Sequence, residues 1–192
     1  MSRNQTDYME IKITSTQILR VLYILSWILF IGLCIEAGAF IFNTFYALVI
    51  NPAAANNTVQ GVDLTALYNH DQGYFITQTL LMIIAAVLKA CLFYLIIKLL
   101  HDKKLNMSKP FNTDMNRFIF NASYLALGIG LFSWWGTKYA EWLMKKGVAM
   151  PGIQYLRVGG ADVWLFMGVI LLVIAYIFRK GTEIQTENEL TV

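Results

Sequence analysis

Apolar positions fall in four long runs, and polar positions gather between them. The first run, Val21–Ile50, carries a single charge, Glu36. As a helix it would be about 45 Å long at 1.5 Å per residue. That exceeds the roughly 30 Å hydrocarbon core of a bilayer, so the helix should tilt or project. Asn51-Pro52 ends it, because the residue before a proline is pushed out of helical geometry. The second run is Tyr74–Leu100 and the third Phe118–Met144, the latter wetter, with Lys138 and Glu141 in its last turns. The fourth, Val163–Phe178, is the shortest. It reaches bilayer length only with Ala161 and Asp162 added and with Arg179 and Lys180 snorkelling to the headgroups. The pattern predicts an all-α integral membrane protein. Four transmembrane helices, at about 21–50, 74–100, 118–144 and 161–178, form one antiparallel up-down bundle over residues 1–192.

The connecting segments differ in character. Residues 51–73 contain no Lys or Arg, and "DLTALY" within them predicts a short helix. Residues 101–117, "HDKKLNMSKPFNTDMNR", read as a polar hinge broken at Pro110, with Asn112 or Thr113 capping the next helix. Gly159-Gly160 reads as a turn, with Asp162 as an N-cap. Residues 179–192 form a tail that Gly181 is expected to separate from the last helix.

Composition agrees with a lipid setting: 57% of residues are hydrophobic and 14% charged, against about 25% charged in an ordinary soluble domain. Arg20 and the run after it loosely imitate a signal peptide. The apolar stretch is longer than a signal core, however, and continues past Ala37-Gly38-Ala39, so no cleavage is expected. Four spans place ten Lys and Arg residues on one side and four on the other, with Lys89 inside the membrane. Cytoplasmic loops carry that excess, so both termini and residues 101–117 are expected in the cytoplasm. Trp134, Trp135, Tyr139 and Trp142 fit an interfacial belt.

Glu36 needs an explanation, since a charge at the centre of a bilayer costs about 2.5–3.5 kcal/mol on insertion scales. Gly32, Glu36, Asn43 and Ala47 share one helical face, as do Gln78, Met82, Ala85 and Lys89 on the second span. Centring the spans puts both charges within about 3 Å of the mid-plane, which predicts a Glu36–Lys89 pair. Its role is either to fix helix register or to serve as a proton or cation site. The alternative is no contact, with Lys89 snorkelling to the cytoplasmic interface. On the third span Ala122, Ala126, Gly130 and Ser133 form a small-residue row suited to close helix packing within the chain, or alternatively to homo-oligomerisation. Lys138 and Glu141 should pair at the outer surface.

Catalytic chemistry is hard to find. His70 and His101 fall on opposite sides of the membrane, and no zincin, CxxC, GxSxG or phosphate-loop motif is present. No catalytic, cofactor-binding or metal-ligating residue is therefore assigned, and the chain is read as not an enzyme. Cys34 and Cys91 lie in apolar runs as packing residues. "NNT" at Asn56–Thr58 fits a glycosylation acceptor. The tail "RKGTEIQTENELTV" reads either as a solvated acidic end or as a partner-binding segment formed by Glu183, Ile184, Glu187, Glu189 and Leu190.

"SWILFIGLCIEAGAFIFN", "LKACLFYLIIKLL", "KPFN", "YLALGIGLFS" and "GTEIQTENELTV" resemble the four-helix bacterial membrane proteins of domain-of-unknown-function family 2975. The resemblance covers nearly the whole chain and is most specific in the tail. It implies a bacterial inner-membrane protein with no assigned activity, whose gene often neighbours one for a small helix-turn-helix regulator. The expected function is a regulatory or sensing partner that binds such a regulator through residues 101–117 and the tail, with no direct nucleic-acid contact. The alternative is a small transporter or ion-conducting protein using Glu36 and Lys89.

Overall fold

The computed structural model of the chain describes residues 15–57, 61–102 and 113–190. Most of the predicted hinge, at 103–112, lies outside the described residues. So do Thr58 of the glycosylation acceptor and the side chains of Glu189 and Leu190. Helix α1 spans Ser15–Val49, α2 Thr65–His70, α3 Gln72–His101, α4 Thr113–Lys145 and α5 Ala161–Leu190. Four of them, α1, α3, α4 and α5, are long and apolar enough to cross a membrane. α1 packs on α3, α3 on α4, and α4 on α5.

Local chemistry sets the helix ends. Asn51 is extended and its side chain accepts from the Ala53 N–H at 2.9 Å, while Pro52 opens a 3-10 turn, so α1 stops where the proline dictates. A minimal hairpin follows, β1 (Asn56–Asn57) against β2 (Val62–Asp63), with Asn56 opposite Asp63. Asp63 then accepts from the Thr65 N–H at 2.9 Å and starts α2. The Thr65 side chain and N–H hold its carboxyl below the usual carboxylate pKa. Asp71 leaves α2 in an extended conformation and caps α3, its side chain accepting from the Tyr74 N–H at 2.8 Å.

Packing between α4 and α5 depends on two glycines. A Cβ on Gly130 would lie 2.7 Å from Leu165 Cγ and 2.8 Å from its backbone nitrogen, and one on Gly168 would lie 2.7 Å from Leu127 Cγ. These contacts place Ala161 opposite about residue 134, so α4 overshoots the start of α5 by roughly 11 residues, or ~16 Å. The first half of α3, the end of α1 and residues 51–57 and 61–71 occupy the same level. There they form the best-buried core: Val62, Leu67, Phe75, Met82, Ala85, Ala140, Leu143, Leu156 and Val158.

Two expectations are corrected. Gly181 does not end the last helix; α5 runs unbroken through it to Leu190. Glycine in a helix costs only about 1 kcal/mol relative to alanine. Here Arg179 and Lys180 both bond Glu183 across it, at 3.3 and 3.1 Å. Asp162 lies in the first turn of α5 rather than at its cap; the Trp164 N–H bonds to the Gly160 carbonyl at 3.0 Å.

Candidate functional site

The segment from Lys146 to Gly160 returns the chain from the far end of α4 to the lower start of α5. It is a strap that folds back against the bundle. Val148, Leu156 and Val158 are buried in the core. Gly136 makes room for it, since a Cβ there would meet Val158 Cγ1 at 3.2 Å. Arg157 ends the strap's 3-10 turn (Ile153–Leu156) in left-handed geometry, with φ 58°.

Lys89 engages this strap. Its ammonium donates to the Arg157 carbonyl at 2.9 Å, and Thr137 Oγ1 donates to the Val158 carbonyl at 3.3 Å. Non-helical carbonyls at the edge of a bundle need partners from the protein, and both bonds supply them from helical side chains. The Lys89 side chain therefore extends toward residues 146–160, away from His101. Side chains lean toward the amino-terminal end of their helix, which on α3 is the strap end. The snorkelling alternative requires the opposite direction.

Glu36 stands at the same level. Tyr23 and Phe30 of α1 meet His101 and Tyr94 of α3 at ring-centroid distances of 6.2 Å. From Phe30, Glu36 is roughly 9 Å along α1, and from Tyr94, Lys89 is roughly 7.5 Å along α3 in the facing direction. Among the described residues, Glu36 and Arg157 carry charges near the Lys89 ammonium. Glu36 is half-buried; of the face assigned to it, Ala47 is buried and Asn43 half-buried. Gly32 instead faces open space, and a Cβ there would meet nothing within 4 Å.

On α4, Ala122, Ala126, Gly130 and Ser133 are all buried. Sequence reasoning missed Gly168, the α5 counterpart of Gly130, because it stands alone among bulky residues. Gln78 is fully buried with both amide atoms unpartnered among the described residues, and so is the Ser133 hydroxyl. Lys138 and Glu141 pair at 2.8 Å on the surface. Beyond them, Lys146 sits 4.0 Å over the Trp142 ring and bonds Tyr74 Oη at 3.2 Å. Cys34 and Cys91 are exposed on the helix surfaces rather than packed inside. Among the described residues no three His, Cys, Asp or Glu side chains gather where a metal could bind.

At the other end, an open cleft of about 440 Å³ lies between the start of α4 and the end of α5. Thr113, Asn116, Arg179, Thr182, Glu183 and Glu187 are among its lining residues. Glu183 and Ile184 of the predicted tail are exposed on the helix, as is Glu187.

Four apolar helices of this length define a multi-span integral membrane protein. More particularly, the family model described as "Protein of unknown function (DUF2975)" matches residues 59–192, and the chain belongs to that family. The match begins after α1, so it covers less than the near-complete resemblance expected from the sequence. No curated protein and no solved structure matches the chain.

Proposed function

We propose that the protein is a regulatory or sensing component of a bacterial inner membrane, with both termini in the cytoplasm. The four spans run as an antiparallel up-down bundle. That arrangement is supported by the Tyr23–His101 and Phe30–Tyr94 contacts and by the pairing of Gly130 with Leu165 and Gly168 with Leu127. Its cytosolic elements, residues 101–117 and the end of α5, bind a small helix-turn-helix regulator and hold it at the membrane. The observation that carries this reading is the continuation of α5 to Leu190, past Arg179 and alongside the α4 cleft. A helix already ordered before binding loses less conformational entropy on association than a coil would. Co-purification of the regulator with the full chain and with a chain ending at Lys180 tests it. Recovery with the full chain alone is expected, and equal recovery with both overturns the tail contact.

The transport alternative would use Glu36 and Lys89. A flux assay in liposomes comparing the native chain with Glu36→Gln separates the two readings, and equal flux in both removes that role for Glu36.

A further inference from the structure

We infer that residues 146–160 form a latched strap: the Lys89 ammonium holds it closed through the Arg157 carbonyl, and breaking that bond lets the segment lift from the bundle. This goes beyond the proposed function, because it concerns the opposite end of the molecule and needs no partner protein.

Three observations carry it. First, the half of the strap next to α5 is held by side chains at few points. Lys89 bonds the Arg157 carbonyl and Thr137 the next, and Leu156 and Val158 are the fully buried anchors there, whereas Val148 and Lys146 hold the half that follows α4. Second, the closed strap stores backbone strain. Arg157 holds φ 58° without being glycine, a conformation that L residues adopt at a cost. Third, polar groups lie buried and unmatched nearby. Val158 rests against Gly136 and near Leu81. One turn away on the same two helices, Ser133 and Gln78 are fully buried without hydrogen-bond partners among the described residues. Hydrating them on opening would offset part of the cost of exposing the apolar anchors. The closed state therefore depends on its latch more than an evenly packed loop would.

Thiol labelling tests the strap in membranes opened so that an impermeant maleimide reaches both faces. In a background with Cys34→Ala and Cys91→Ala, Val158→Cys reports the buried anchor and Tyr155→Cys, 53% exposed, reports the outer surface. Lys89→Met should raise the labelling rate at position 158 by tenfold or more and leave position 155 unchanged. Thr137→Val, which removes only the longer bond, should raise it by a smaller factor. Ala126→Cys, buried between helices far from the strap, should label slowly in every background. An unchanged rate at 158 in Lys89→Met overturns the inference, whatever Thr137→Val does. So does an equal acceleration at position 126, which would mean general loosening of the bundle.

Discussion

α1 and α4 are both long enough to cross a bilayer, yet they are held by the fold in opposite ways. In the most apolar stretch of α1, 6% of residues are buried within the chain; in that of α4, the share is 39%. The less apolar helix is the better buried one. In lipid, apolar surface gains nothing by leaving its surroundings for another apolar surface, so bulky Ile, Leu and Phe do not by themselves bring helices together. Close approach does, and it needs small side chains. α4 presents Ala122, Ala126, Gly130, Ser133, Gly136 and Ala140 inward, whereas Gly32 and Gly38 of α1 meet nothing within 4 Å.

The largest expected separation between these helices comes from removing a bulky side chain. Leu143 of α4 is fully buried in the core. Leu143→Ala should cost about 2–5 kcal/mol, whereas Phe42→Ala on α1, a site 62% exposed, should leave the unfolding midpoint in a denaturing-detergent titration nearly unmoved. Equal shifts would break the contrast. Next come the glycines. Gly130→Ala must displace the backbone of Leu165 and should destabilise by about 1–3 kcal/mol, while Gly32→Ala should be neutral or slightly stabilising in the same titration.

A smaller effect is expected at Asp71, where Asp71→Ala removes the cap of α3 at a cost of about 1 kcal/mol, readable as faster amide exchange at Tyr74. Below that lies the surface pair. Lys138→Ala breaks the exposed contact with Glu141 and should change stability by no more than about 1 kcal/mol, fading further in high salt. The smallest effect is the pH response of Asp63. Its carboxyl is held below the ordinary value by Thr65, so its contribution is present above the unfolded-state value and is lost as pH falls through the folded one. An acid titration of the native chain should therefore show slightly more loosening of the α2 region than one of Asp63→Asn.

How much of this was legible depended on whether the signal was local. The end of α1 was readable because Asn51-Pro52 acts on its own backbone, and the helix at "DLTALY" because Asp63 bonds the next N–H but one. The row on α4 could be seen because its members repeat along one helix, while Gly168 could not, since its role exists only opposite Leu127. Gly181 misled: a glycine reads as a stop only when nothing bridges it, and the Arg179 and Lys180 bonds to Glu183 do. The strap was invisible for a similar reason. Nothing in "GVAMPGIQYLRVGG" shows that α4 overshoots α5, and without that offset there is no reason for Lys89 to find a backbone carbonyl rather than to reach the other interface.

The offset has a mechanical consequence. α5 starts where the strap ends, at Gly160 with φ 74°, and continues as one rod of about 45 Å to Leu190. Between Val158 and that rod stand only two glycines, which swivel easily. A small lift of the strap is thus absorbed in the swivel, while α5 stays seated on α4 where Gly130 meets Leu165 and Gly168 meets Leu127.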